Sequence, residues 1–472
     1  MTTHRIRNVF VAAALSAICV VGHAQDLPNI IVIMPDDLGW GDVGYNGSEI
    51  RTPAIDQLAE EGIVLTRYYT HPTCSPTRSS FYTGKRALSL GTVIPFPPWV
   101  EEGLQIDEKL LPQYLKDSGY MTWLVGKWHL GHTYYDQHPR SRGYDHFYGA
   151  IGPEINYYTH ALNGVPDWER NGEALDQDGY ATHLFGNEAV ELLSSYDGDA
   201  PFFMHYSPTA PHAPLQAPQE AVDAYASFEN FNRRRLAAMV SECDTTEGNI
   251  VAAVRRRDDA DNTLIVFVSD NGGDVPAGAS SGALRGGKSQ PYDGGIRVPA
   301  IAWWPARLGS GSTDEFISVH DWVPTLAALA RAQSDPDLPG IDVWPALNQE
   351  PLDRADPIVI GAIELGVGPK IVALDQGWKL IRSVTLGSPN QTPGDVELYN
   401  LNDDPAETMN VAAVETERVE RIQGFLNTVP IGRPRGVGPP PPGYDGATSP
   451  EVEPNNRAPI YPPRSESIRN RP

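Results

Sequence analysis

Two pairs of oxygen-bearing side chains occur where they could share one metal ion. Asp36 and Asp37 lie in MPDDLG, and Asp270 and Asn271 lie in VSDNGG. Each pair directly follows an apolar run that is typical of a buried strand. Three carboxylates and one amide form the ligand set of a hard divalent cation, Ca²⁺ or Mg²⁺. Either pair alone would be an ordinary polar turn, so the predicted metal site depends on their occurring at two matching strand ends.

Further basic and imidazole side chains have the chemistry to surround a small anion. Lys127 and His129 lie in VGKWHLG, where strand alternation would direct both side chains to one face. His212 lies in the proline-rich TAPHAPLQAP, and Lys288 in the glycine-flanked GGKSQPYDGG. A single lysine or histidine in a loop is usually only solvated. Two lysines, Arg78 and a metal ion together could bind a tetrahedral oxyanion.

Cys74, in THPTCSPTRSSFYTGKR, is one of 3 cysteines in 472 residues. A catalytic thiolate would need an imidazole base, and His71 is close enough in sequence to keep that hypothesis open. A soft-metal site would need more Cys or His at ligand spacing, and a structural thiol would be surrounded by apolar residues. Neither pattern is present. Cys74 and Cys243 could also form a disulfide in an exported protein.

The elements around these residues predict an α/β fold. Helical patterns alternate with apolar strand-like runs, which indicates a parallel or mixed sheet with helices on both faces. The polar groups follow the predicted strands NIIVIM, YMTWLVG, PFFMHYS and TLIVFVSDNGG. Ligands of such sheets bind at the carboxyl ends of the strands. We therefore expect the polar groups to meet at one edge of the sheet.

The chain divides into four predicted segments. Residues 1–24 have the layout of a secretory signal peptide, which predicts export to a periplasmic or extracellular location. A lipoprotein anchor at Cys19 is less well supported, because Ile18 is large for a lipidation signal. Residues 25–350 form the main domain, and 351–429, with short strands and one helix, form a small antiparallel α+β subdomain. Residues 430–472 are proline-rich and are predicted to be a disordered or extended tail.

Charge and hydropathy limit the possible partners. The chain has 36 Lys and Arg against 60 Asp and Glu, a net charge of −24. That charge argues against nucleic acid and anionic membrane surfaces as partners. After the signal peptide, no stretch reaches the roughly 18 apolar residues of a membrane span. An anionic substrate would have to be bound by a few local cations.

The Cys74 segment resembles a known family. CSPTRSSFYTG matches the Cys-x-Pro-x-Arg signature of type I sulfatases, including its downstream Thr-Gly. Similar blocks, among them PNIIVIMPDDLGWGDVGYNG, FVSDNGG and LYNLNDDPAE, extend the resemblance over most of residues 28–410. The PHAPLQAP segment and the Lys288 loop look closest to the branch around arylsulfatase B, an N-acetylgalactosamine 4-sulfatase. The resemblance implies an alkaline-phosphatase-like fold and hydrolysis of sulfate esters of carbohydrates or aryl alcohols.

The resemblance also implies a metal site and a covalent modification. In this family a formylglycine-generating enzyme oxidises the cysteine to Cα-formylglycine, an aldehyde, so Cys74 would be the modified residue. The ion would be Ca²⁺, with Mg²⁺ as the alternative. Its expected ligands are Asp36, Asp37, Asp270, Asn271 and the modified Cys74.

The remaining site residues receive roles by the same resemblance. Arg78 would hold formylglycine and its hydrate. Lys127 and Lys288 would bind the sulfate oxygens. His129 would exchange a proton with the formylglycine hydroxyl, and His212 with the departing ester oxygen.

Two other functions stay open at this point. A phosphonate or phosphate monoester hydrolase would use the same superfold, because a fold does not determine function. A non-catalytic binder of sulfated glycans, or an enzyme in which Cys74 stays unmodified, belongs to a different class. The loops TVIPFPPWVEEG and GPEINYYTHALNG are candidates for substrate recognition. Their Trp99, Tyr157 and Tyr158 could stack on sugar rings or simply pack.

Overall fold

The computed structural model describes residues 27–364, 368–384 and 395–438. The predicted signal peptide and residues 439–472 lie outside these ranges. The described strands are β1 (Asn29–Ile33), β2 (Ile63–Leu65), β3 (Tyr68–Tyr69), β4 (Met121–Lys127), β5 (His146–Ala150), β6 (Ala161–Leu162), β7 (Val165–Pro166), β8 (Glu169–Arg170), β9 (Glu173–Ala174), β10 (Phe202–Ser207), β11 (Thr263–Val268), β12 (Ala300–Trp303), β13 (Gly311–Thr313), β14 (Ile317–Ser318), β15 (Ile358–Glu364), β16 (Gly368–Asp375), β17 (Trp378–Ser383) and β18 (Val396–Asn400). The described α-helices are α1 (Pro53–Glu61), α2 (Cys74–Thr83), α3 (Ala87–Leu90), α4 (Leu111–Asp117), α5 (Ala181–Ser195), α6 (Gln219–Asp223), α7 (Phe231–Arg255), α8 (Asp293–Ile296), α9 (Trp322–Leu329), α10 (Trp344–Leu347) and α11 (Thr416–Leu426).

A mixed, mostly parallel sheet forms the centre of the molecule. Its strand order is β13-β2-β12-β11-β1-β10-β4-β5-β8-β9. Strands β11, β1, β10, β4 and β5 run parallel, whereas β12 is antiparallel to both of its neighbours. The predicted α/β architecture is confirmed. The four strands that precede the polar groups are adjacent, so their carboxyl ends lie side by side.

Helices cover both faces of this sheet. Ile30 and Val32 of β1 pack into one apolar cluster, which includes residues of α2, α4 and α9. Ile31 and Ile33 point the other way, into a cluster with α1, α5 and α7. Because side chains alternate along a strand, a strand covered on both faces must be apolar at every position. This explains the continuous apolar run IIVI at residues 30–33.

A smaller antiparallel sheet, β15-β16-β17-β18, follows the main sheet, as the sequence predicted. Its apolar face packs with α11. Lys379 of β17 is fully buried, 2.6 Å from Asp293 of α8 and 2.7 Å from Glu407. A buried lysine needs such partners to remain charged. This cluster therefore joins the small sheet to the loop region of the main domain.

Part of the predicted tail packs on the main domain. Residues 430–438, here called the C-terminal arm, run beside the segment that follows α3. The Arg435 amide donates to the Gly91 carbonyl at 2.9 Å, and the Gly436 amide donates to Glu102 at 2.9 Å. The sequence did not predict these contacts. Within the three described ranges, no helix has the length and apolar character needed to span a membrane.

Candidate active site

Adjacent strand ends bring the predicted polar groups together. Asp36 and Asp37 follow β1, Asp270 and Asn271 follow β11, and Lys127 is the last residue of β4. The Asp270 amide donates to the Pro35 carbonyl at 3.2 Å, which continues the pairing of β1 and β11 beyond their ends. The structure thus places both acidic pairs and Lys127 at one edge, as a parallel sheet requires.

The backbone of Asp37 turns its side chain into this cluster. Asp37 has a φ of 67°, an uncommon left-handed conformation for a residue other than glycine. Its amide donates to Asp270 Oδ1 at 3.2 Å, and its own Oδ1 accepts from Asn271 Nδ2 at 2.7 Å. These two bonds join the acidic pairs. The conformation could not be predicted from sequence because the partners lie more than 230 residues away.

Each of the three carboxylates is paired with one cation. Lys127 Nζ lies 2.5 Å from Asp36 Oδ2, and Lys288 Nζ lies 2.6 Å from Asp37 Oδ2. The third pair joins Arg78 Nη2 to Asp270 Oδ2 at 2.8 Å. The charges therefore balance within the site.

Burial and these pairs shift the pKa values of the acids in opposite directions. Burial raises the pKa of Asp270 to about 7, with the Asp36 charge acting in the same sense and Arg78 against it. Burial also acts to raise the pKa of Asp37, but the charges of Lys288 and His212 outweigh it and hold that pKa below its usual value. Desolvation disfavours the charged form and an opposite charge favours it, which accounts for both directions.

The donor set fits a hard cation. Asp36 Oδ1 and Asn271 Oδ1 are buried and have no hydrogen-bond partner among the described residues. Ligand atoms of Asp36, Cys74 and Asp270 lie within 4.8 Å of one another. Buried oxygens without partners are costly, and a divalent ion would satisfy them. The Cys74 sulfur is a soft donor and fits such an ion less well than an oxygen at that position would.

Cys74 is the first residue of α2 and is buried, as is every residue of that helix. Burial raises the pKa of the Cys74 thiol to about 11, so an unmodified thiol is protonated at neutral pH. The ring nitrogens of His71 contact the Gly361 carbonyl at 3.2 Å and Ser80 Oγ at 3.0 Å. His71 therefore does not serve Cys74 as a base, and the thiolate hypothesis is wrong.

The disulfide that the sequence left open is not formed, because Cys74 and Cys243 are both free. Cys243 lies on α7 and donates from Sγ to Glu247 Oε1 at 3.3 Å. Both cysteines are buried, in different surroundings.

Arg78 lies one helical turn after Cys74, so both side chains face the same side of α2. Besides Asp270, Arg78 donates to Ser207 Oγ at 2.6 Å and to the Lys127 carbonyl at 3.2 Å. Ser207 was not predicted, although it ends β10 in the same way that Lys127 ends β4. Its position at the end of a predicted strand was the signal that could have identified it as a site residue.

His129 is held by neighbours that the sequence did not reveal. It has a φ of 59° and lies beyond the end of β4, so the predicted strand alternation does not apply. Ser75 Oγ donates to the His129 carbonyl at 2.9 Å, and His129 Nε2 contacts the Phe96 carbonyl at 3.0 Å. Nδ1 is buried without a partner among the described residues. Burial, with the Lys127 charge, lowers the pKa of His129 well below its usual value.

His212 lies at the outer side of the cluster. Its Nδ1 contacts the Ala213 carbonyl at 2.6 Å, and its Nε2 lies 3.7 Å from Asp37 Oδ2. Burial, together with the Lys288 charge, lowers the pKa of His212. Buried Tyr157 donates to the Thr209 carbonyl at 2.7 Å, and its hydroxyl also lies 2.8 Å from the His212 carbonyl. Tyr157 therefore supports the histidine loop and is not a sugar-stacking residue.

A sulfatase family model matches residues 28–332. The chain belongs to the sulfatase family. It is thus a sulfuric ester hydrolase by descent, with Cys74, Arg78 and the acidic pairs all inside the matched range. The sequence-based recognition of the family is confirmed.

Two mammalian sulfatases are similar to this chain over most of its length. It is 34% identical to arylsulfatase J of Mus musculus over 463 residues, covering 86% of this chain and 77% of the relative. It is 32% identical to N-acetylgalactosamine-6-sulfatase of Homo sapiens over 355 residues, covering 69% and 67% of the two chains.

Solved structures resemble the sulfatase over most of its length. The crystal structure of Ps i-CgsB in complex with k-i-k-neocarrahexaose has a TM-score of 0.77 at 31% identity, covering 85% of this chain and 91% of that one. PsFucS1 sulfatase from Pseudoalteromonas sp. has a TM-score of 0.70 at 24% identity, covering 84% and 89%. The second likeness concerns the fold alone.

Proposed function

We propose that this sulfatase removes sulfate from a sulfated carbohydrate, with a formylglycine formed from Cys74 and a bound Ca²⁺. The observation that carries the proposal is the position of Cys74. It stands at the start of buried α2, beside Asp36 and Asp270. A protonated thiol has little to contribute there, whereas a hydroxyl oxygen would complete an oxygen-ligated metal site.

Asp36, Asp37, Asp270, Asn271 and the modified residue 74 would hold the ion. Ca²⁺, or Mg²⁺ in its place, would lower the pKa of an attacking hydroxyl and offset charge on the transferred group. Asp36 Oδ1 and Asn271 Oδ1, which are buried without a hydrogen-bond partner in the described part of the chain, support this assignment.

Lys127 and Lys288 would bind the sulfate group. Each of them contacts a carboxylate oxygen of the proposed metal ligands, at 2.5 and 2.6 Å. A divalent ion on those carboxylates would leave both ammonium groups free to donate to an oxyanion. Local cations are needed here because the chain as a whole carries a charge of −24.

Formylglycine supplies, as its hydrate, a hydroxyl that can attack sulfur and a second hydroxyl that allows sulfate to be released by C–O cleavage. Arg78 would hold residue 74, since it is fixed on the same helix by Asp270 and Ser207. His129 would accept the proton of the second hydroxyl at Nδ1, because its Nε2 is occupied by the Phe96 carbonyl.

His212 would protonate the leaving alcohol from its imidazolium form, which carries a proton on both ring nitrogens. Its Nδ1 is occupied by the Ala213 carbonyl, which leaves Nε2 as the nitrogen that faces the site. Nε2 lies 3.7 Å from Asp37, and Lys288 contacts the same carboxylate oxygen. The proton donor is therefore adjacent to the proposed sulfate-binding lysine.

The names of similar proteins support a carbohydrate substrate. One solved relative binds a neocarrahexaose, and another relative is an N-acetylgalactosamine-6-sulfatase. The predicted signal peptide supports export to the periplasm or the cell exterior. Maturation would require a formylglycine-generating enzyme as a transient partner.

Two measurements test the proposal. Mass spectrometry of the peptide containing Cys74 from natively expressed protein should show an aldehyde in place of the thiol. The matured protein should hydrolyse nitrophenyl sulfate faster than nitrophenyl phosphate and phosphonate esters. A preference for a phosphorus ester by orders of magnitude would support the alternative hydrolase, and a retained thiol without turnover would support a non-catalytic binder.

A further inference from the structure

Glu154 is a charged side chain at the site to which no role has been given. It follows β5, which is parallel to β4, so it lies at the same edge of the sheet as the proposed catalytic groups. Its Oε2 is 3.7 Å from His212 Nδ1, and its side chain is 41% exposed. Asp36 and Asp270, by contrast, are fully buried. Glu154 is therefore an accessible carboxylate at the entrance.

The loop that carries Glu154 is held on both sides of this residue. The base of its loop is held by buried Asp167, which accepts from the Ile151 amide at 3.1 Å and from the Gly152 amide at 2.7 Å. The other end of the loop is held by Tyr157, whose hydroxyl reaches the histidine loop. These contacts keep the backbone of Glu154 close to the histidine loop.

The order of contacts across the site shows which part of a substrate Glu154 would meet. Lys288 and His212 approach the same oxygen of Asp37, at 2.6 and 3.7 Å, and Glu154 lies beside the other nitrogen of His212. The contacts therefore run outward from the buried cluster, through the imidazole, to the exposed carboxylate. With the sulfate on the lysine side, the alcohol that leaves at His212 Nε2 would extend outward past the imidazole, towards the side on which Glu154 is exposed.

We propose that Glu154 selects the alcohol part of the substrate: its carboxylate accepts a hydrogen bond from a free hydroxyl beside the sulfate ester and disfavours sugars with a second sulfate or a carboxylate there. An ionised carboxylate only accepts hydrogen bonds and repels other anions. The inference rests on the proposed function and specifies its substrate as a sugar with a neutral hydroxyl next to the ester.

The test compares kcat/KM for three substrates: nitrophenyl sulfate, a monosulfated galactoside with a free neighbouring hydroxyl, and the same galactoside with a second sulfate at that position. Wild-type enzyme should prefer the monosulfated over the disulfated sugar. Glu154→Gln should narrow that preference by about 10- to 100-fold, the range expected for one charged hydrogen bond. Glu154→Ala should lose activity on the monosulfated sugar relative to nitrophenyl sulfate.

Glu420→Gln is the matched control, because Glu420 is an exposed residue of α11 and belongs to no proposed site. It should retain the wild-type preference. Equal loss on all three substrates in both Glu154 variants would overturn the inference, since it would show that Glu154 only positions His212. Absence of wild-type turnover of all three sulfates would instead refute the proposed function, and the inference with it.

Discussion

Lys127 donates a hydrogen bond of 2.5 Å to Asp36, and neither side chain is exposed to solvent. Removing one partner of a buried ion pair leaves the other charge uncompensated, which typically costs about 3–5 kcal/mol. We expect Lys127→Met to lower the free energy of unfolding by that amount in EDTA. Ca²⁺ should then raise the Tm of the variant more than that of the wild type, because the ion no longer competes with the lysine for Asp36.

Lys109→Met is the control for that experiment. Lys109 pairs with Asp117 at 2.6 Å, but their side chains are 44% and 68% exposed. Exposed pairs contribute about 0–1 kcal/mol, so the Tm of this variant should stay close to that of the wild type with and without Ca²⁺. Equal responses of the two variants to Ca²⁺ would contradict the proposed overlap of the lysine and metal sites.

Asp244 should make stability depend on pH. It lies on α7 and accepts from the Ala54 and Ile55 amides at the start of α1, at 3.0 and 2.9 Å. Burial raises its pKa from 3.8 to about 6. The native state then binds more protons than the unfolded state in this window, so the Asp244 contribution to stability falls as pH rises from 3.8 to about 6.

Asp244→Asn removes this titration and keeps an acceptor oxygen for α1. The stability of the variant relative to the wild type should therefore increase as the pH rises through that window and then level off. Urea unfolding at pH values below, within and above the window measures the difference. Asp223→Asn, at an exposed position on α6, should show no such change. A pH-independent difference for Asp244→Asn would show that its carboxyl titrates normally.

The buried ion cluster of Lys379, Asp293 and Glu407 should contribute to stability as one coupled network. Lys379→Met leaves Asp293 and Glu407 without their common cation, at an expected cost of about 3–5 kcal/mol. Adding Glu407→Gln should recover part of that loss, because it removes one uncompensated charge. A double-mutant cycle on urea unfolding measures the coupling, and additive effects of the two changes would argue against a shared network.

The C-terminal arm should support activity through the segment that holds His129. Gly91 has a φ of +74°, and a Cβ there would lie 1.9 Å from the Arg433 carbonyl of the arm. Gly91→Ala should therefore displace the arm and lower kcat, since the arm packs beside Phe96. Gly47→Ala is the matched control, because Gly47 has a φ of +88° with open space around its Cβ position. Both variants carry the backbone strain, and only Gly91→Ala carries the collision.

Truncation tests the same arm in a second way. A chain ending after Val429 lacks the arm, whereas a chain ending after Gly438 keeps every contact described for it. We expect the shorter chain to have a lower Tm and lower turnover of nitrophenyl sulfate. Equal turnover by the two truncated chains would show that the arm is not needed to hold Phe96 and His129.

The sequence was sufficient where structure follows from local patterns. Continuous apolar runs predicted the central strands, and polar residues after them indicated which edge of the sheet carries the site. The contacts of Ser75, Phe96 and Ser207 were not predictable, because each depends on segments brought together only by folding. The left-handed backbone at Asp37 and His129 was not predictable either, since neither aspartate nor histidine requires that conformation.

The small subdomain was also predictable only in part. Its short strands and single helix were recognisable from the sequence. Lys379 gave no such signal, because a lysine in WKLIRS would normally face solvent in an antiparallel sheet. Its burial depends on Asp293 and Glu407, which come from separate parts of the chain.

The burial of Cys74 has a consequence for the timing of biosynthesis. Only 2% of the residue is accessible, and the groups around it include Asp270 and Lys288, nearly two hundred residues or more further along the chain. A modifying enzyme that needs the thiol must reach it while residue 74 is still an extended peptide. Synthesis from the N-terminus provides that interval, because the later groups do not yet exist. Molecules that fold unmodified would remain inactive unless they unfold again.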